Sequence, residues 1–366
     1  MNVIDALNIF YREDVISDFL KSCFEDSNSF LHRFLSCANI SLSKETRFTI
    51  ENRVGLGKSI GTPDMLIVAQ DRNENHIIII ENKLGAAEGF AQTQRYESSE
   101  AKTIIRSRLN LDESDLRFHF IYLTLDKTVT PSSSNFSHIH YDEFLQPEWL
   151  LNDSTLNLIF TDFKEKLYQF YAPLEQPFQT ISLGLNLDST QKKFCWQSIL
   201  FDKFQGETQF ELDWGEAGGI GRKNFIFLIT KPSWKAKKSF KETGLANTHY
   251  IHIDTYINLL NSKKNFVYEI GIRFETYPYI PHKHIKSIDG YEYFIRNKEI
   301  FSELLFENIA SQIAGAKKRN SKLLIMTVPV NDTNLNTSIE DYKNKVLIIE
   351  KAIDLTIKEL QQKQIF

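Results

Sequence analysis

Three side chains suited to one reaction stand close together in the sequence. Asp64 follows Pro63, and sixteen residues later come Glu81, Asn82 and Lys83. Two carboxylates held a few ångströms apart repel each other unless a cation or a shared proton intervenes. A hard divalent cation bound through oxygen is the natural partner, and Mg2+ uses one or two protein carboxylates together with phosphate and water. A neighbouring lysine can orient a water, help to deprotonate it, or neutralise charge developing on phosphorus. The chemistry these groups share is metal-assisted phosphodiester hydrolysis.

Whether they meet depends on the elements that carry them. Residues 64–69 and 76–83 read as strands joined by a polar turn at 71–75. The unbroken isoleucines at 77–80 describe a strand buried on both faces. With the tip between Arg72 and Asn73, paired residue numbers sum to 145 and Asp64 faces Glu81. Side-chain alternation then puts Glu81 and Lys83 on one face and Asn82 on the other. A slip of one residue would separate the two carboxylates, so the register is a strict condition.

The flanking segments read as one or two helices over 13–36, a strand over 46–54, a helix over 86–108, a strand over 116–125, a short extended stretch at 138–140 and a helix over 153–171. This order, helix, three strands, helix, strand, predicts an α/β core with a mixed central sheet. Pro173 and Pro177 mark a boundary near 175, giving domains 1–174 and 175–366. The second reads as α+β, with strands near 208–213, 224–230, 249–257, 266–277 and 322–329, and helices over 188–204, 298–314 and 338–363. Val346, Ile349, Ile353, Ile357 and Leu360 form an apolar stripe on the last helix. Core packing is the first reading of that stripe, and a dimer seam the sharper alternative. Residues 216–223 are glycine-rich and read as a long turn between strands, with a loop that closes on a ligand as the alternative.

Pro63-Asp64 followed by Glu81-Asn82-Lys83 resembles the signature of the PD-(D/E)xK nuclease superfamily, whose restriction-endonuclease-like core has the same element order. Ile78-Ile79-Ile80-Glu81-Asn82-Lys83-Leu84, with Gln92 and Tyr96 four residues apart, resembles a bacterial group in which an Ile-Glu-Asn-Lys strand leads into a Gln-x-x-x-Tyr helix. Glu13, Asp14 and Ser17 with Phe30, Phe34 and Leu35 resemble that family's first helix, and Tyr141-Asp142-Glu143 a later feature of it. The resemblance implies that Asp64 and Glu81 are metal ligands, with the Asn82 carbonyl as a further ligand and Glu13 at or beside the metal. It also implies that Lys83 is the catalytic lysine and that Gln92 contacts the nucleic-acid backbone or the attacking water. Glu51, or failing that Glu45, would supply an additional carboxylate. The metal would be Mg2+, with Mn2+ as a substitute, and the substrate nucleic acid, DNA first. Members of this superfamily serve bacterial restriction and anti-phage defence, which extends the expectation to that role, to partner proteins of such a system and, for cutting both strands, to a homodimer.

Candidate nucleic-acid contacts are Lys58 in the glycine-containing loop at 55–61, Arg95 and Tyr96 on the following helix, and Lys235, Lys237 and Lys238 in a basic stretch with aromatic neighbours. Lys317, Lys318, Arg319 and Lys322 form a second basic cluster. The loop lacks the Gly-Lys-Ser/Thr helix opening of a phosphate loop and reads as a hairpin connection. His252 and Asp254 would share a strand face, more simply as a satisfied or exposed pair than as a second site.

Composition narrows the alternatives. The chain has 366 residues and a formal net charge of −4, which excludes a protein that coats nucleic acid nonspecifically. The charge is uneven: residues 1–172 carry 17 basic and 25 acidic side chains, which fits either a metal-binding half or simply an acidic surface. With 28 Phe and 14 Tyr, wholesale disorder is excluded. Cys23, Cys37 and Cys195 form no Cys-x-x-Cys pair, which argues against a cysteine zinc site and for a reducing, cytoplasmic setting. Neither a signal-peptide pattern nor a bilayer-length apolar run is visible. Two readings compete with a DNA nuclease: a nuclease-like fold that binds nucleic acid or a partner without cutting, and an RNA-directed, toxin-like nuclease.

Overall fold

The computed structural model describes the chain except at residues 1, 72–73, 87, 111–115, 220–221, 261–268, 320–322, 332, 364 and 366. It divides into two compact units, Met1–Ala172 and Pro173–Phe366. The hairpin tip at Arg72 and Asn73, Lys322, and the start of the strand expected at 266 lie outside the described residues.

The first unit runs α1 (Val3–Ala6), α2 (Glu13–Asp26), α3 (Asn28–Cys37), β1 (Arg47–Asn52), β2 (Met65–Asp71), β3 (Glu74–Lys83), α4 (Gln92–Glu97), α5 (Ser99–Leu109), β4 (Leu116–Thr124), β5 (Ser137–His140) and α6 (Ser154–Tyr171). The strands lie in the order β1-β2-β3-β4-β5. The first two pairings are antiparallel and the last two parallel, so the sheet is mixed. β3 sits at its centre, and Ile77, Ile78, Ile79 and Ile80 are all buried, as a strand covered on both faces requires. The β2–β3 register runs from Met65 opposite Ile80 to Asp71 opposite Glu74, the pairing expected from the sequence.

The two faces of this sheet are packed differently. On one, Leu66, Val68, Ile77, Ile79 and Tyr122 pack with Tyr96 of α4 and Ala101 and Ile105 of α5. On the other, Ser17, Leu20 and Phe24 of α2 meet Met65, Ile80, Asn82 and Leu123 around a small void. The helix expected over 86–108 is two. Ser98 breaks it, leaving the helix itself while its hydroxyl accepts from the Ala101 N–H at 3.2 Å to cap α5.

The second unit runs α7 (Pro177–Ser182), α8 (Ser189–Phe204), β6 (Glu211–Gly219), β7 (Arg222–Thr230), α9 (Phe240–Thr243), β8 (Tyr250–Asn258), β9 (Glu269–Glu275), α10 (His282–Ile285), α11 (Tyr291–Ala310), β10 (Lys317–Lys318), β11 (Leu324–Pro329) and α12 (Leu335–Gln362). Its sheet, in the order β10-β11-β9-β8-β7-β6, is antiparallel throughout. Phe225, Phe227, Ile229, Ile251, Ile253, Ile270 and Ile272 build the sheet side of its core. The α12 stripe of Val346, Ile349, Ile353, Ile357 and Leu360 is buried in that same core, so it packs within the unit. The long turn expected over 216–223 is corrected: β6 continues to Gly219 and β7 begins at Arg222. Glycine-rich composition measures backbone freedom, and a full antiparallel ladder removes that freedom.

Candidate metal and nucleic-acid site

Asp64 lies one residue before β2, and Glu81 and Lys83 lie at the end of β3. The ladder stops at Met65, and from there the Asp64 carboxylate turns to β3: its Oδ2 accepts from the Asn82 N–H at 2.8 Å. The carboxylates are thus held beside each other by backbone pairing on one side and this bond on the other. Glu81 Oε1 receives the Lys83 ammonium at 2.6 Å and the Gln92 amide nitrogen at 2.7 Å. Glu13, at the start of α2, reaches the same place: its Oε1 accepts from the Leu84 N–H at 3.1 Å, and its Oε2 lies 3.6 Å from Lys83 Nζ.

Burial makes this a strained electrostatic group. Glu81 is 1% exposed, and its Oε2 has no hydrogen-bond partner. Burial, then the Asp64 charge, push the Glu81 carboxyl up to about 8. Burial foremost raises Asp64 to about 6, against the pull of the Asn82 N–H and Lys83. For Lys83 burial alone would favour the neutral amine, but Glu81, Glu13 and Asp64 hold the ammonium above its ordinary range.

Asn82 points to the opposite face, as alternation requires. Its Nδ2 donates to Ser17 Oγ at 3.0 Å, and its Oδ1 accepts from the Tyr141 hydroxyl at 2.7 Å. With the side chain so committed, only its backbone carbonyl is left as the candidate ligand. The donor set of Asp64, Glu81, Glu13 and that carbonyl is all hard oxygen and suits a divalent cation such as Mg2+, with water and phosphate completing the shell. Glu81 Oε2 is a buried acceptor with no hydrogen-bond partner, the kind of oxygen a cation would satisfy. Among the described residues, no three His, Cys, Asp or Glu side chains form a ready-made cage.

Several sequence expectations change in place or kind. Tyr96, expected to touch nucleic acid, is corrected: it is 1% exposed and packed in the apolar core. Its hydroxyl accepts from Gln92 at 2.9 Å, so it orients that amide from behind. Arg95 turns its guanidinium to backbone, donating from Nε to the Ile60 carbonyl at 3.0 Å and also to the Phe90 carbonyl. It braces the 55–61 loop, which closes on itself through Leu56 N–H to the Gly61 carbonyl at 2.9 Å. Gly57 and Gly61 take positive φ there, a conformation a side chain would strain. Lys58 is exposed on this loop. Glu51, offered as an extra carboxylate, is corrected: it is ion-paired with Arg108 of α5 at 2.7 Å. Glu45 is exposed. Lys237 and Lys238 are exposed, whereas Lys235 is paired with Glu211. His252 and Asp254 are buried; His252 Nε2 lies 3.3 Å from Glu275 Oε2, and Asp254 is paired with Arg273.

One positioning residue escapes the sequence reading. Glu88 gathers the Thr93 N–H at 2.6 Å and hydroxyl at 2.8 Å, and the Ser132 N–H at 2.6 Å, tying the start of α4 to the 131–135 loop. The serines of that loop are the only trace of this in the sequence, because its partner lies more than forty positions away.

Residues 1–177 match the family model described as the PD-(D/E)XK nuclease superfamily. A search of curated proteins finds no match to the chain. Among the described residues, no helix is long and apolar enough to cross a membrane.

Proposed function

Since residues 1–177 belong to the PD-(D/E)XK nuclease superfamily, we propose that this protein is a divalent-metal-dependent endonuclease acting on DNA, with Mg2+ as its ion and Mn2+ as a substitute. The observation that carries the reading is the meeting of Asp64, Glu81 and Lys83 at one end of the sheet, with Glu81 Oε2 left partnerless.

Asp64, Glu81 and the Asn82 carbonyl would hold the cation, with Glu13 beside them. A divalent cation there would polarise the scissile phosphodiester and make a bound water more acidic. Lys83 presents a positive charge where charge builds on the phosphorus oxygens, or orients the attacking water. Gln92, steadied by Tyr96, keeps Glu81 Oε1 in place and would contact the attacking water or a phosphate oxygen. Lys58 on the exposed loop is a candidate phosphate contact. The second unit would recognise a substrate or partner, or join two copies to cut both strands. A role in bacterial restriction or anti-phage defence, in the cytoplasm, follows from the superfamily's habits and belongs to the same proposal.

The test is incubation of plasmid and linear DNA, with single-stranded RNA in parallel, in Mg2+ or Mn2+. Metal-dependent cleavage by the wild type and its loss in Glu81→Ala support the proposal; identical behaviour of the two sinks it. A binding-only reading draws on the Lys83 and Gln92 contacts already made to Glu81 Oε1. Calorimetry separates the two, because a silent fold would show no divalent-metal binding that depends on Asp64.

A further inference from the structure

The second unit contains a pocket of about 730 Å³ that the nuclease reading does not use. Its size is in the range of small-molecule sites, roughly 300–1,000 Å³. Lys235, Lys237 and Lys238 line one side, Asn247 and His249 another, and Asn297 of α11 a third. Among the described lining residues there is no Asp or Glu.

The lysine-bearing turn is firmly built. Trp234 is fully buried, and its indole N–H donates to Asp354 Oδ1 at 2.6 Å. Two residues on, the Ala236 N–H donates to the His249 carbonyl at 2.9 Å. Across the pocket, Asn297 Nδ2 donates to the Ala246 carbonyl at 3.0 Å. These bonds fix the walls and leave the lysine heads and amide oxygens as the adaptable groups. Lys235 is balanced by Glu211 and stands over the Tyr250 ring. Lys237 and Lys238 have no carboxylate partner among the described residues and are exposed.

In the other basic cluster of this unit, Lys318 is paired with Glu303 and Arg319 with Glu269. A pocket lining with two exposed lysines and no carboxylate among its described residues is a compact positive site. We propose that this pocket binds a phosphorylated small molecule of nucleotide size, with Lys237 and Lys238 on the phosphates and the amides of Asn247 and Asn297 toward its polar ring or sugar. Lysine is a natural point-charge partner for phosphate, and the amides and hydroxyls of an open, concave lining supply orientation.

The test is calorimetric titration of the full chain, with EDTA present so that no metal-held phosphate competes in the first unit. The probes are the four ribonucleoside triphosphates, the matching nucleosides, and duplex DNA with and without a 5′-phosphate. At least one triphosphate should bind, and its nucleoside should not. Affinity should fall about tenfold or more in K237E/K238E, the scale of losing two charge-assisted hydrogen bonds. It should be retained in K237R/K238R and unchanged in Glu81→Ala. Ser233→Glu, which adds a carboxylate to the lining without removing a lysine, should also weaken binding. Absence of binding by all four triphosphates overturns the proposal, as does equal binding by wild type and K237E/K238E. Loss of duplex binding alone in K237E/K238E, with no nucleotide bound, also overturns it and makes the lysines a nucleic-acid contact.

Discussion

The Lys83 ammonium lies 2.6 Å from Glu81 Oε1, while the other oxygen of the same carboxylate has no hydrogen-bond partner. Side chains two apart on one strand share a face, so this contact is local in sequence. Its isolation from water is not local: Glu81 is 1% and Lys83 7% exposed, and distant segments reach them through Gln92 of α4 and Glu13 of α2. A buried ammonium between Glu81 and Glu13 offsets the repulsion of their carboxylates.

Replacing Lys83 by Met should therefore do two things. Cleavage should fall by about 10²-fold or more, the usual scale for a lost acid–base or charge-stabilising group. Metal-free stability should fall by less than the roughly 3–5 kcal/mol of a stranded buried charge, because Glu81 can take up a proton instead. Denaturant unfolding with and without Mg2+ checks this, and the ion should stabilise the variant more than the wild type. Equal Mg2+ stabilisation of both would remove Lys83 from the metal site.

The raised carboxylates set a pH dependence with a definite sign. Asp64 rises from 3.8 to about 6 and Glu81 from 4.5 to about 8 on folding. The folded metal-free chain therefore holds protons that the unfolded chain has released. These groups add stability that is fully present below about pH 4 and is lost as pH rises through 6 to 8. Metal binding needs the same groups ionised, so divalent-ion affinity should climb across that window. Calorimetry at pH 6, 7 and 8 should show rising affinity together with a decreasing number of protons released. A flat profile would contradict the shared site.

Tyr141 and Asn82 make a buried bond that never touches the reacting groups. Tyr141→Phe removes the donor and leaves the Asn82 oxygen unpaired, so it should cost about 1–3 kcal/mol. The combined Tyr141→Phe/Asn82→Leu variant should lose less than the sum of the single changes. Additivity in a double-mutant cycle would mean that the two residues act separately.

Three histidines should make the protein acid-sensitive. Burial foremost lowers His119 to about 4, and its Nε2 lies 2.9 Å from His76 Nδ1, which is lowered as well. His249 is lowered to about 4 by burial alone. Their neutral forms are favoured in the fold, so this contribution is present above about pH 6.5 and is lost as pH falls toward 4. Denaturation midpoints at pH 7 and 5 should show the loss, and His119→Gln should reduce it. An unchanged pH slope in that variant would show that His119 is not one of the groups responsible.

Much of the first unit was legible in order of residues alone. Four isoleucines in a row demand burial on both faces, and the polar turn before them, at 71–75, points to the register that pairs β2 with β3. That register and strand alternation bring Asp64, Glu81 and Lys83 to one end of the sheet and send Asn82 away, because both are consequences of a period of two. Patterns of this kind are local and survive any tertiary context. The sequence also marked Gln92 and Tyr96 as a pair on one helical turn, but only packing made Tyr96 a buried support for Gln92. Composition could not tell that Arg95 faces carbonyls, that Glu51 is taken by Arg108, or that glycines 215, 218 and 219 lie in a ladder. Nor could it place Lys235, Lys237 and Lys238 around a pocket wall completed by Asn297. Those outcomes depend on which distant segments arrive beside a side chain, and that is decided by the burial and hydrogen bonding of the whole unit.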